Sequence, residues 1–329
     1  MTDLQVAGRV TNALEQLALV GLASILEDQG ALGARIWWED GVEAQARLRV
    51  AVSGVEIGDA VRVHATRLAA SASWVQRTTV HEGAEVGLLS PRIKAATSTA
   101  SWNALISARC GVLDDESLTV LDRRMIGALG EPAFWLVNPR DNQPDQGASR
   151  WEMKTRNRGE DFVSNRLAPL AKIVANRSPQ AILDGITGRT AVDELGHGAT
   201  ESRTPTGLTT PGPTDNALAW CAMWGIAQLW LVPQVTHMSQ TAGCWPRGQV
   251  HPREFVLPVF ARPVSVSLWR TVTGSLVFDR AAFGQEPASQ LSLVEQGVAA
   301  IARFPVHIGG SPSAPERLLL EGRVEPLGD

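Results

Sequence analysis

Apolar residues recur between positions 12 and 27 with the 3.6-residue period of a helix: Leu14, Leu17, Ala18, Gly21, Leu22 and Ile25 fall on one face. Thr11 or Asn12 stands where an N-cap accepts the first backbone N–H groups, and Glu15 where a capping-box carboxylate sits. The period then drops to two. Ala34 to Trp38 and Ala46-Arg47-Leu48-Arg49-Val50 lie on either side of a Glu39-Asp40-Gly41 turn, which predicts a hairpin. Asp59 opens a predicted second helix whose Val61, Ala65, Leu68 and Ala72 share a face, with Arg62 elsewhere on its surface. Asp114, Asp115 and Glu116 are placed to cap a helix running into Leu118, Val120 and Leu121.

Further along, a predicted strand at Ala133–Val137 runs into the polar stretch Asn138–Ser149, which divides the chain into an N-terminal unit over 1–140 and a C-terminal unit over 150–329. A Gly/Thr/Pro-rich segment over 196–213 precedes an apolar helix from Asn216 to about Leu231. Phe255–Phe260, Val264–Trp269 and Ser275–Phe278 read as strands, Gln290–Arg303 as a late helix, and the remainder as an extended tail. The predicted class is α+β, with mixed sheets and packed helices.

Two of these segments match each other. Asn12–Leu26 reads NALEQLALVGLASIL and Asn216–Trp230 reads NALAWCAMWGIAQLW; the same residue stands at six positions, including Gly21 and Gly225. A glycine inside a helix costs about 1 kcal/mol relative to alanine, so both positions point to close approach of another backbone. A pseudo-repeat, with each half docking one such helix on a sheet, and a coincidence between two Ala/Leu-rich helices are both open at this point.

Composition narrows the function classes. Of 329 residues 44% are hydrophobic and 19% charged, which excludes wholesale disorder. Three cysteines (Cys110, Cys221, Cys244) form no motif, and their odd number fits a reducing compartment. No apolar run is long enough to span a bilayer and the first residues do not read as a secretory leader, so a cytoplasmic location without a membrane partner is expected. Only three of the 30 basic residues are lysine (Lys94, Lys154, Lys172), so the other 27 are arginine. With a net charge of −4 the chain is no polycation, and any contact with nucleic acid must come from local patches. Two stretches carry such a surplus. Arg62, Arg67, Arg77, Arg92, Lys94 and Arg109 face only Glu82 and Glu85; Arg150, Lys154, Arg156, Arg158, Arg166, Lys172 and Arg177 face Glu152, Glu160 and Asp161.

No catalytic constellation stands out. Walker, dinucleotide-binding and paired-cysteine motifs are absent, and Gly185-Ile-Thr-Gly188-Arg189-Thr190 lacks the lysine of a phosphate loop. His237, Cys244 and His251 are spaced more widely than structural zinc ligands, so neither a metal nor another cofactor is expected. If the chain is an enzyme, Glu194, His197, His237 and His251 are its candidates. The nucleic-acid pattern is better developed: Trp151, Lys154, Arg156, Asn157 and Arg158 mix a stacking ring, phosphate-neutralising cations and a base-reading amide before Gly159. Arg92, Lys94 and Arg203 extend the set, Arg203 within a hydroxyl-rich segment suited to ordering against a sugar–phosphate backbone. A third reading makes the 11 tryptophans anchors of a purely structural interface.

The helix Asn12-Ala-Leu-x-x-Leu-Ala-x-x-Gly-Leu near the start, its counterpart at Asn216, and the basic stretch from Trp151 through Lys154 to Ala171 resemble the short large-subunit-like proteins of type I CRISPR surveillance (Cascade) complexes, subtype U or G. That resemblance implies a non-catalytic effector-complex subunit. Its partners would be CRISPR guide RNA, target DNA, the other surveillance-complex subunits and a separate helicase–nuclease that receives the opened DNA.

Overall fold

A computed structural model describes residues 1–39, 44–90, 96–130, 162–232, 240–247, 249, 252–284, 286–311 and 314–328. Its elements in chain order are β1 (Thr2–Arg9), α1 (Ala13–Asp28), β2 (Arg35–Trp38), β3 (Gln45–Val50), α2 (Gly54–Ala69), β4 (Thr78–His81), β5 (Ala84–Gly87), α3 (Thr99–Leu113) and α4 (Val120–Leu129). There follow α5 (Ala168–Ala175, led in by a π-helical turn over Val163–Leu167), α6 (Pro179–Ile186), α7 (Asn216–Gly225, continued as a 3-10 turn over Ile226–Gln228), β6 (Leu231–Val232), β7 (Gln240–Thr241), β8 (Cys244–Trp245) and β9 (Glu254–Phe260). The chain closes with α8 (Val266–Thr273), α9 (Leu276–Phe283), α10 (Pro287–Glu295), β10 (Val298–Ser311), β11 (Ala314–Leu319) and β12 (Arg323–Pro326). Several small antiparallel sheets with packed helices make the class α+β.

The predicted hairpin strands pair as β2 and β3, and a strand the pattern did not signal, β1, joins on the other side in the order β1-β3-β2. Ile36, Trp38, Ala46, Leu48 and Val50 point inward and are buried beneath α1. Asn12 caps α1, its side chain accepting from the N–H groups of Leu14 and Glu15. Glu15 reaches past the cap to the N–H of Arg9 at 2.5 Å, tying the helix to the end of β1. Every residue of α1 from Gln16 through Leu26 is buried, so the helix is covered on all sides and not on a single face.

What covers its far side is α7. A Cβ built on Gly21 would stand 1.8 Å from the carbonyl oxygen of Cys221 and 2.5 Å from the nitrogen of Gly225; one built on Gly225 would stand 2.2 Å from the carbonyl oxygen of Leu17. Leu17 and Cys221 occupy equivalent positions in the two matching segments, so the contact is reciprocal. Ser24 and Gln228, also equivalent, are joined by a 3.1 Å hydrogen bond from the Gln228 amide. Like positions meeting at both 21/225 and 24/228 make the two helices run in the same direction. The likeness therefore serves direct helix-on-helix packing: α1 lies on the β1-β3-β2 sheet, whereas the main neighbours of α7 are α1, α5 and α6. That differs from a repeat in which each helix docks on its own sheet.

Caps account for most displaced boundaries. The second helix begins at Gly54, not Asp59, because Ser53 and Glu56 form a capping box; it ends before Ala72, which is exposed. Thr119 and Asp122 form the box that starts α4, while Asp114 ends α3 and Asp115 accepts from the N–H of Ser117, so the acidic run at 114–116 does not cap α4. Ser265 and Ser275 cap α8 and α9, turning two expected strands into helices; only Val264 keeps a strand contact, bridging Ile36 of β2. The late helix stops at Glu295, Gly297 takes a left-handed turn (φ 93°), and Val298–Ser311 becomes β10, the centre of the sheet β11-β10-β9-β8 with β12 also on β10. The expected strand at 133–137 and boundary at 138–149 lie outside the described residues; the buried core draws on residues from both sides of them.

Beside the glycine contact, His64 of α2 is fully buried edge-on to Trp224 at 4.5 Å, with Trp220 and Trp74 completing the cluster. Asp122 is buried with it. Burial alone would raise its pKa, but Arg67 (2.5 Å), the Thr119 N–H and the Trp74 indole N–H (3.1 Å) hold it below the ordinary value. Burial, reinforced by Arg67, pushes His64 down to about 3.

Gly21→Ala and Gly225→Ala should each lower the denaturant midpoint by the equivalent of about 2 kcal/mol or more, because the methyl meets backbone that cannot yield, and this outweighs the helix-propensity gain of about 1 kcal/mol. His64 sets a second expectation. As pH falls, unfolded chains protonate it from 6.5 downward while the folded protein does not until about 3. Stability is therefore fully present above 6.5 and lost on acidification. His64→Leu should remove roughly 1.4 kcal/mol per pH unit from the acid limb between about pH 6 and pH 4, read by denaturation at several pH values.

Candidate nucleic-acid interface

Alternation in the β1-β3-β2 sheet sends one set of side chains under α1 and the other to the outside. The register places Asp3, Arg49 and Arg35 in one outer row and Gln5, Arg47 and Trp37 in the next. Asp3 and Gln5 are exposed, and the other four are half-buried. Arg49 donates to Asp3 from Nε (2.6 Å) and Nη2 (2.8 Å), and Arg47 donates to Glu39 from Nε (2.9 Å) and Nη2 (2.6 Å). These two-pronged contacts hold both guanidinium groups against the sheet, and the Arg49 hydrogen bond keeps Asp3 below the usual carboxylate range. The Arg49 guanidinium carbon lies 5.2 Å from the centroid of the Trp37 ring, a cation–π distance. Arg35 donates to the carbonyl oxygens of Gly33 and Ala34. Planar cations, an indole and an amide thus share one open face.

Of the residues singled out from the sequence, Lys154, Arg156, Asn157, Arg158, Arg92 and Lys94 lie outside the described residues, as does Trp151. Arg203 is described. Its Nη1 pairs with Glu316 at 2.8 Å on the rim of a shallow cleft of about 40 Å³, with the guanidinium side chain 56% exposed. The segment around it is ordered against protein: Thr204 donates to the buried Asp193 (2.7 Å), Thr209 accepts from Asn12 (3.4 Å), and the Gly207 carbonyl accepts from the N–H of Leu319. Its hydroxyls at 202, 204 and 206 are buried, whereas Thr200 and Thr210 are exposed.

Most described members of the basic surpluses are taken up within the protein. Arg62 pairs with Asp59, Arg67 with Asp122 and Arg77 with Asp115, and Arg109 is fully buried with a hydrogen bond to the Ser90 carbonyl. Arg177 donates to Asp215 at 2.7 Å, to the Val192 carbonyl and to Glu194. Lys172 is exposed.

The candidates of the enzyme reading do not come together among the described residues. Glu194 is held by Arg177, the Arg177–Asp215 pair anchors the N-cap of α7, and His197 sits exposed in a left-handed turn (φ 53°). Cys244 is buried in β8; His237 and His251 lie outside the described residues. No group of three or more His, Cys, Asp or Glu side chains is placed to hold a metal ion among the described residues, and no helix there is long and apolar enough to cross a membrane.

The outer-row residues Gln5, Arg35, Trp37, Arg47 and Arg49 did not stand out in the sequence as a site. The alternation of Ala46-Arg47-Leu48-Arg49-Val50 carried half of the signal; the other half is the register, which brings Trp37 and Gln5 to either side of Arg47. No family model matches the chain, and no curated protein matches it.

Proposed function

We propose that the chain is a non-catalytic, nucleic-acid-binding subunit of a cytoplasmic CRISPR RNA-guided surveillance complex. In this reading it contacts guide RNA or the opened target DNA, assembles with the other complex subunits and helps recruit a helicase–nuclease. The observation that carries nucleic-acid binding is the outer face of the β1-β3-β2 sheet, where Arg35, Arg47 and Arg49 flank Trp37 and Gln5. A base can stack on an indole only when it is unpaired, because the faces of paired bases are hidden in the stack. The arginines already hold carboxylates, but exposed ion pairs of this kind contribute at most about 1 kcal/mol, so exchange of Asp3 or Glu39 for a phosphate costs little. The assignment to a surveillance complex rests on the resemblance of the Asn12 and Asn216 helices and the 151–171 stretch to that family.

Binding of a single-stranded oligonucleotide across a salt series tests the face. Replacing Arg35, Arg47 and Arg49 with alanine should flatten the log–log salt slope by about 0.7 for each phosphate that is no longer neutralised. Trp37→Ala should cost about 1–3 kcal/mol with little change in slope, as expected when a base loses its stacking partner. The arginine changes should move the denaturant midpoint little, since ion pairs at the surface add little to stability, whereas loss of the half-buried Trp37 indole should lower it. Unaltered affinity and slope in all variants would remove the face from consideration. The assembly is tested separately: the tagged chain should be recovered from its native host with a discrete small RNA and partner subunits, and recovery as a lone, RNA-free polypeptide would refute it.

A further inference from the structure

We propose that the cleft between the β6–β7 ribbon and the α8–α9 pair is a second base site, taking one unpaired nucleobase of a single strand against the indole of Trp230; this rests on the nucleic-acid reading above. The cleft has a volume of about 180 Å³, room for one planar ring system and less than the 300–1,000 Å³ typical of larger ligands. Trp230, Val232 and Leu276 form its apolar side and are 38%, 36% and 64% exposed, an unusual concentration of large apolar surface. Gln240, Arg247 and Asp279 supply its polar rim, the last two joined as an ion pair.

The indole is seated by a glycine. A Cβ on Gly274, between α8 and α9, would fall 1.7 Å from the indole nitrogen and 2.1 Å and 2.3 Å from the neighbouring ring carbons. Gly274 has an ordinary backbone (φ −94°), so the residue is required for room and not for conformation. One side of the ring therefore rests on main chain, and the carbonyl of Trp230 accepts from the N–H of Ala242 across the ribbon. A ring fixed in this way loses little freedom when a base stacks on it.

The rim selects among planar partners. An amide, a guanidinium and a carboxylate together offer donors and acceptors, the mixture that the edge of a nucleobase presents. An anion would face Asp279. A strand is favoured over a free nucleoside by the next ring along. Phe283 stands four residues after Asp279 on α9, about 6 Å further along the helix. Its ring is stacked at 4.5 Å on Trp245, which is 40% exposed. Trp245 is thus a second exposed aromatic ring seated against α9.

The test is photo-crosslinking of the full chain to a single strand substituted with iodouracil, followed by mapping of the modified residues. Crosslinking at Trp230 is expected, and its yield should fall about tenfold in Gly274→Ala, the scale of one base–aromatic stack, while crosslinking at Trp37 persists. Leu276→Glu, on an exposed position, should reduce the Trp230 yield without touching the fold. Crosslinking at Trp37 with none at Trp230 overturns the second site and leaves the sheet face standing. Crosslinking at neither overturns both. A Trp230 yield unchanged in both variants refutes this cleft as the origin of the crosslink, and capture of free iodouridine at Trp230 with no gain from the strand refutes the strand as its occupant.

Discussion

The contact between Gly21 and Gly225 is the constraint around which the rest is arranged. Backbones this close exclude any side chain larger than hydrogen at either position, and the two matching segments supply that condition reciprocally. Once α1 is pressed against α7, one side of α1 remains for the β1-β3-β2 sheet and the flanks are filled by large groups: Trp220 and Trp224 from α7, His64 from α2. Close-packed interiors do not tolerate vacancies beside such a contact, so the small residues at the crossing and the bulky ones around it form one solution. The Ser24–Gln228 bond continues the seam in polar form, buried and joining equivalent positions.

Elements were legible in the sequence where one period ran long enough to outweigh local ambiguity. The first helix and the hairpin are of that kind, and so is the helix from Asn216, although its last turn tightens to 3-10 geometry. Short segments were less so. VSLWRTVT is rich in β-branched and aromatic residues and reads as a strand, yet Val266, Trp269 and Val272 are spaced as a helical face and Ser265 stands at the cap. The Gln290–Arg303 expectation ran through Gly297, where the left-handed turn ends one element and begins another. β1 was missed because the apolar positions of TDLQVAGR are sparse and Gly8 sits near a shift in its register with β3.

The interface was harder to read than the fold, because charge was counted along the chain while electrostatics acts through space. Arg67 and Asp122 are 55 positions apart, Arg177 and Asp215 are 38 apart, and both pairs are internal supports. The desolvation cost of burying a guanidinium is offset there by several hydrogen bonds at once, most fully at Arg177, whose side chain is only 8% exposed. On the sheet Arg47 and Arg49 are also oriented by carboxylates, but by half-exposed ones, whereas Asp122 and Asp215 are buried. Arginine suits this role through its planar fork, which holds a carboxylate two-pronged and lies flat beside an indole.

The two aromatic sites are also mechanically related. Ile36, next to Trp37 in β2, is bridged on its backbone to Val264, two residues before α8 begins, with the N–H of each donating to the carbonyl of the other (2.9 and 3.0 Å). Gly274, which seats Trp230, follows the last residue of α8. The path from one ring to the other therefore runs through a strand, a two-way hydrogen-bonded bridge and an eight-residue helix, about 12 Å long at 1.5 Å per residue. None of these is a free linker. On the proposed nucleic-acid reading, a separation held by regular backbone would be a fixed length for a flexible strand to span.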